Sequence, residues 1–245
     1  MMTLYETLKA ALAAEQPVAV ATVVSGPADI GAKLLIRPDG TTFGALGPDL
    51  DQGAVVRDAL AMLARDERGI QTYASPAGEV GVFIETYPPP PTMFIVGAVH
   101  IAIPLVTFAK TLGFRVVVID ARGVFATPER FAHADELILA WPDEVLAGRL
   151  TSNSYVVLLT HDPKLDDPAL KIALPSPARY VGALGSPRTH ARRLARLRAE
   201  GVPEEQLARL HAPIGLAIGA NTPEEIAVSI IAEIVAARHG LTGKA

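Results

Sequence analysis

The stretch Met93–Asp120, MFIVGAVHIAIPLVTFAKTLGFRVVVID, decides how the rest of this chain is read. It divides into strand, turn, helix and strand. Met93 to Val96 is an apolar run too short for a helix, and it stops at Gly97. From His100 to Leu112 the residues Ile101, Leu105, Phe108, Ala109 and Leu112 recur at helical spacing, with Gly113 as the C-terminal stop. Val116 to Ile119 is β-branched throughout and ends on Asp120. Continuous apolar runs of this kind suit parallel strands covered on both faces. Such a unit opens a Rossmann-like fold, in which N–H groups at the helix start receive a phosphate. The usual fingerprint, G-x-G-x-x-G or A, is written here as Gly97-Ala98-Val99-His100-Ile101-Ala102. Val99 stands where the middle glycine lets the main chain approach a pyrophosphate.

Upstream, the chain reads as a smaller α/β domain. Thr3 and Glu6 make a capping box for a helix over 3–14 that Pro17 ends. Strands are expected over Val18–Val24, Gly31–Ile36, Thr42–Leu46 and Val80–Glu85, with a helix over Asp49–Arg65. Tyr87 is followed by four consecutive prolines, Pro88 to Pro91, which cannot join a helix or a central strand and form a stiff rod. The expected division is therefore an N-terminal domain over 1–87, a proline-rich linker over 88–92 and a Rossmann-like domain over 93–245.

Downstream, strands and helices alternate, as a parallel α/β sheet requires. Strands are expected over Glu136–Ala140, Tyr155–Thr160 and Arg179–Ala183. Helices are expected over Pro168–Leu174, over Thr189–Glu200 behind Ser186 and Pro187, from Pro203 to Leu210, and from Thr222-Pro223 to His239. The last helix is apolar nearly all round, so it is buried on the sheet or part of a subunit interface, and a homodimer is expected.

Composition narrows the function. The 245 residues are 50% hydrophobic and 20% charged, with a formal net charge of −4, which argues against a general nucleic-acid binder. No run of about 18 apolar residues suggests a membrane span, and Met1–Ala10 lacks a signal-peptide pattern, so the expected location is cytoplasmic. There is no cysteine, which removes disulfides, thiolate metal sites and cysteine nucleophiles.

Open α/β sheets bind ligands at the carboxyl ends of their strands, and the chemistry-bearing clusters fall there. They are Gly97-Ala98-Val99-His100, Asp120 with Arg122, His161-Asp162 after Thr160, and Gly182 through Gly185 to Ser186. His100 is either a phosphate donor and acid–base group or a loop-bonded helix start. Asp120 suits a ribose hydroxyl, or caps its own loop. Asp162 is placed to orient His161, although adjacent residues rarely face each other. Ser186 and Arg188, at a helix N-terminus after a glycine turn, suit an anion. The later arginines of that helix read as a solvated face.

These motifs in order resemble the XdhC/CoxI family, accessory factors for xanthine dehydrogenase and related molybdenum hydroxylases. The likeness is carried by Gly97-Ala98 with His100-Ile101-Ala102, Asp120 with Arg122, Thr160-His161-Asp162, Tyr180 through Ser186, and Pro213 through Ala227. More loosely, Ala21–Val24, Gly31–Leu35 and Asp39-Gly40 fit the family's N-terminal pattern. The chain departs from it at Val99, at Pro187, at Ala217, and at Leu46-Gly47-Pro48-Asp49, where a cysteine is usual. The resemblance implies a chaperone that binds a molybdopterin-type molybdenum cofactor while a cysteine desulfurase adds sulfur, then helps insert it into a hydroxylase apoenzyme. Two other readings use the same rim: an NAD(P)- or FAD-dependent oxidoreductase, and a non-catalytic nucleotide-binding subunit.

Overall fold

The computed structural model describes residues 3–241, so the first two and last four residues of the expected domain spans lie outside it. The chain divides into two compact units between Pro89 and Pro90.

The first unit runs α1 (Leu4–Ala13), β1 (Val18–Ser25), β2 (Lys33–Ile36), β3 (Thr42–Ala45), α2 (Gln52–Arg65), β4 (Gly69–Ser75) and β5 (Gly78–Tyr87). Its sheet is antiparallel throughout, in the order β3-β2-β1-β5-β4. The period-two alternation of strands puts side chains on opposite faces. Ala19, Ala21, Val23, Leu34 and Ile36 pack with Val55 and Ala59 of α2, whereas Val18 and Leu35 pack with Ala11 of α1. The expected capping box of Thr3 and Glu6 is present. Strand β4 is an addition to the sequence reading. It is an edge strand on which Tyr73 alone is buried, so it carries no apolar alternation to detect. Its pairing also lengthens β5 beyond the expected Val80–Glu85.

The second unit runs β6 (Thr92–Val96), α3 (Ala102–Thr111), β7 (Arg115–Ile119), α4 (Pro128–Phe131), β8 (Glu136–Ile138), α5 (Pro142–Leu146), β9 (Ser154–Leu158), α6 (Pro163–Ala173), β10 (Tyr180–Ala183), α7 (Pro187–Ala199), α8 (Glu204–Leu207), β11 (Leu210–His211) and α9 (Pro223–Arg238). All its strands are parallel, in the order β11-β10-β9-β6-β7-β8. The order reverses between β6 and β9, which makes the carboxyl ends of those two strands the topological switch point. Met93, Ile95, Val116 and Val118 face α3 and α9, while Phe94, Val96, Val117 and Ile119 face the side carrying Ala169 and Leu170 of α6 and Leu197 of α7. Burial on both faces is why these strands read as unbroken apolar runs.

Several elements differ from the sequence reading, among them the short helices α4 and α5, which it did not include. Helix α6 begins at Pro163 rather than Pro168, because Asp162 caps it by accepting the Lys164 N–H at 3.0 Å. Pro168 lies inside it, and a stripe of Leu165, Ala169, Leu170 and Ala173 holds the helix to the sheet despite the lost N–H. The helix expected through Leu210 ends at Leu207, and Leu210-His211 forms the edge strand β11 instead. The long helix α9 runs as expected and buries Ala227, Ile230, Ile231 and Ile234 within its own unit, while Val228 and Val235 on its other side are exposed. Among the described residues no helix is long and apolar enough to cross a membrane.

Candidate functional site

The loops that follow β6 and β9 touch at the switch point. Gly97 adopts φ +108°, and a Cβ there would lie 2.6 Å from Thr160 Cγ2, so only glycine permits this approach. The Val99 side chain is half-buried against the core under α3, turned into the fold. The valine in the middle-glycine position is therefore accommodated by packing. Hydrogen bonding of the α3 turn begins with the Ala102 N–H to Val99 O (3.0 Å) and Ile103 N–H to His100 O (3.3 Å). The N–H groups of Val99, His100 and Ile101 precede that ladder and lie at the positive end of the helix dipole. His100 is exposed at this turn.

Asp120, at the end of β7, is 1% exposed. Its Oδ2 accepts the Ala98 N–H and Arg122 Nη2, each at 2.8 Å, and its Oδ1 accepts the Arg122 N–H (3.0 Å) and Nε (2.9 Å). Burial alone would raise this carboxyl, but the Arg122 and Ala98 donors outweigh it and hold it below the usual carboxylate range. Each oxygen carries two donors, so no lone pair is left for the ribose hydroxyl expected of Asp120. The carboxylate instead clamps the phosphate-type turn to the loop after β7. Arg122 in turn lies over the Phe125 ring, 4.7 Å from its centroid.

A second acid–arginine pair sits beneath the loops after β9 and β10, and the sequence reading missed it. Arg193 of α7, expected on a solvated face, is 1% exposed. Its Nη2 donates to Asp166 Oδ2 at 2.9 Å and to Leu184 O at 3.1 Å. Asp166 accepts the Thr160 hydroxyl through its other oxygen. The Nε and Nη1 groups of Arg193 are buried with no hydrogen-bond partner among the described residues. Each such group costs about 1–3 kcal/mol when shut away from water. Burial pushes the Asp166 carboxyl up, against the opposing pull of Thr160 and Arg193. The available signal was spacing, since Arg193 precedes the buried Leu197 by one turn and shares its inward face. The neighbouring Arg196 is partly exposed and pairs with Asp167 at 2.6 Å.

The remaining predicted residues fall into two groups. His161 is exposed at the rim, and Asp162 is engaged as the α6 cap rather than in orienting it. Ser186 caps α7 by accepting the Thr189 N–H at 3.2 Å, and Arg188 is exposed in the first turn. Gly185 has φ +148° and leads into that cap. Gly182 plays a different part, because it lies inside β10, where a Cβ would fall 2.6 Å from Ile214 Cδ1 and 2.7 Å from the Tyr180 ring. That ring anchors a further polar cluster that sequence reasoning did not identify. Glu233 of α9, 2% exposed, accepts Tyr180 Oη (2.5 Å), the Gly215 N–H (2.7 Å) and His211 Nδ1 (3.3 Å). It pins the loop between β11 and α9 beside the rim. Among the described residues no group of three or more histidines, cysteines and acids is placed to hold a metal ion.

The strand order and the glycine turn at the switch point define a Rossmann-fold domain, carried here with an antiparallel domain. Residues 93–234 match the model of the XdhC Rossmann domain, and residues 11–74 match that of the XdhC and CoxI family. The chain belongs to the XdhC and CoxI family. It is 32% identical over 225 residues to "Uncharacterized protein YqeB" of Escherichia coli (strain K12), covering 86% of this chain and 41% of that protein. It is 35% identical over 158 residues to a probable xanthine dehydrogenase subunit of Bacillus subtilis (strain 168), covering 64% and 46%. It is also 34% identical over 92 residues to "Molybdenum cofactor insertion chaperone PaoD" of Escherichia coli (strain K12), covering 38% and 29%. The chain thus spans less than half the length of these relatives. The crystal structure of a xanthine dehydrogenase from Bacillus halodurans shares the fold, with a TM-score of 0.57 at 23% identity over 98% of this chain and 96% of that one.

Proposed function

We propose that this chain binds a molybdopterin-type molybdenum cofactor and serves as an accessory factor in maturing a xanthine dehydrogenase-type molybdenum hydroxylase. The observation that carries the reading is the likeness to a molybdenum cofactor insertion chaperone and to a xanthine dehydrogenase subunit, within a family matched along both units. The donor set suits the ligand. A molybdopterin bears a phosphate, and the N–H groups of Val99, His100 and Ile101 at the start of α3 are anion donors at the switch point. His100 and His161, both exposed on the rim, add hydrogen-bonding groups beside them. The bound cofactor would supply the metal chemistry to the client enzyme. The chain's own residues hold it, with Asp120 and Arg122 fixing the turn and Gly97 keeping the two loops in contact. The partners on this reading are the hydroxylase apoenzyme and a cysteine desulfurase.

The NAD(P) or FAD reading has weaker support, because the acid that would take a ribose hydroxyl is filled by Arg122 and Ala98. Binding of the purified chain to molybdopterin cofactor, NAD(P)H and FAD separates the two. Retention of the molybdenum cofactor, weakened about tenfold by His100→Ala or His161→Ala, is expected. Nicotinamide or flavin binding without molybdopterin would overturn the proposal.

A further inference from the structure

We propose that the turn Leu184-Gly185-Ser186 and the start of α7 form a separate phosphate site, with the buried Arg193 guanidinium as its base. Four observations meet there. Arg193 is 1% exposed, yet its Nε and Nη1 have no hydrogen-bond partner among the described residues. Native folds leave few such groups, and those that persist call for a ligand, a water or a function. Its Nη1 lies 3.9 Å from the position a Gly185 Cβ would take, next to the Thr189 side chain at 3.2 Å from that position. Leu184 O and Asp166 Oδ2 both hold Nη2, which fixes the guanidinium in that place.

The upper side of the turn supplies the complementary donors. Helix α7 runs for 13 residues, so its dipole points a full positive end at Ser186. The Ser186 hydroxyl satisfies the Thr189 N–H, and Pro187 has none to offer. The N–H groups of Ser186 and Arg188 remain at the helix start, with the exposed Arg188 side chain beside them. The first turn of α7 contains no carboxylate to compete for them. A tetrahedral phosphate monoester group fits donors of this kind, arriving from above and below one turn. In the proposed complex the anion meets Nη1 from the Gly185 side, past the Thr189 side chain that lies 3.2 Å from the same Cβ position.

This site is independent of the ring system the rim carries. Loss of molybdenum-cofactor retention would leave it standing, and its own failure would leave the α3 turn as the cofactor's anchor. The test is a titration of the ¹⁵N-labelled chain with inorganic phosphate, and in a second arm with pyrophosphate. The Arg193 Nε–H resonance and the Ser186 and Arg188 amides are expected to shift along one saturating curve. Inorganic phosphate binding as well as pyrophosphate marks a monoester site, whereas a response to pyrophosphate alone would overturn that assignment. Arg193→Lys is expected to weaken binding about tenfold and Arg188→Ala about threefold. A response confined to Arg188, with Arg193 Nε–H unmoved, would overturn the proposal, as would wild-type affinity in Arg193→Lys. The wild-type curve decides the matter even where a variant does not fold.

Discussion

Two carboxylate–guanidinium pairs sit on the same rim of the second unit, and they are built to opposite plans. In the first, Asp120 is buried and Arg122 partly exposed, and both carboxylate oxygens are saturated by donors from two loops. In the second, Asp166 and Arg193 are both buried, and the arginine keeps two nitrogens without partners among the described residues. The hydrogen bonds outweigh burial at Asp120, whereas burial wins at Asp166. A saturated pair has nothing left to offer a ligand and acts as a clamp. An unsaturated one holds donors in reserve at a standing cost, and that difference separates structure from site more sharply than residue type does.

Breaking the second pair gives the largest effect. Asp166→Ala leaves a buried guanidinium without its counter-charge and is expected to cost about 3–5 kcal/mol in denaturant unfolding. A loss below about 1 kcal/mol would mean that Arg193 reaches water. The double replacement Asp166→Leu with Arg193→Met removes both charges and is expected to recover most of that loss while abolishing phosphate binding. Asp120→Ala is next, at about 1.5–3 kcal/mol, because it strands the Ala98 N–H while Arg122 can turn to solvent. Arg122→Ala costs less, about 1–2 kcal/mol, since the lost guanidinium was partly exposed and the buried Asp120 keeps the main-chain donors of Ala98 and residue 122. If Arg122→Ala were as damaging as Asp120→Ala, the clamp would depend on the arginine rather than on the turn it holds.

The two pairs also show what the sequence could and could not reveal. Asp120 stands at the end of a β-branched run, so its position on the rim follows from periodicity and strand geometry. Its engagement with Ala98 does not, because that bond joins residues 22 apart through the folding of a loop. Arg193 reads as part of a solvated face because arginines surround α7, and composition favours exposure for that residue type. Its burial depends on Asp166, which lies ahead of the helix start that the sequence suggests at Pro168. A misplaced helix start thus hides the partner that would have marked the arginine. Glu233 is equally hidden, lying among the apolar residues of α9 with Tyr180 53 residues away. Strands are legible where both faces are covered, and also at the edges β3 and β8, whereas β4, with Tyr73 alone buried, and the two-residue β11 carry too little periodic signal to be read.

The smallest effect, and the finest test of the contrast, is the pH dependence of stability. Asp120 has a folded-state value below its unfolded one, so the unfolded chain binds more protons in the window between them. Its contribution is complete above the unfolded value, near about 3.9, and is lost as the pH falls through the folded one. Asp166 has a folded-state value above the unfolded one, so the folded chain binds more protons there, and stability falls as the pH rises through that window. Measured against Asp120→Asn, the wild type should lose stability on acidification below about pH 4. Against Asp166→Asn, it should lose stability on raising the pH from about 4 upward, then level off. Unfolding curves for the three proteins from acid to neutral pH therefore have slopes of opposite sign on either side of one pH. Slopes of the same sign for both variants would show that the two carboxylates share one environment, and the distinction between clamp and site would fail with it.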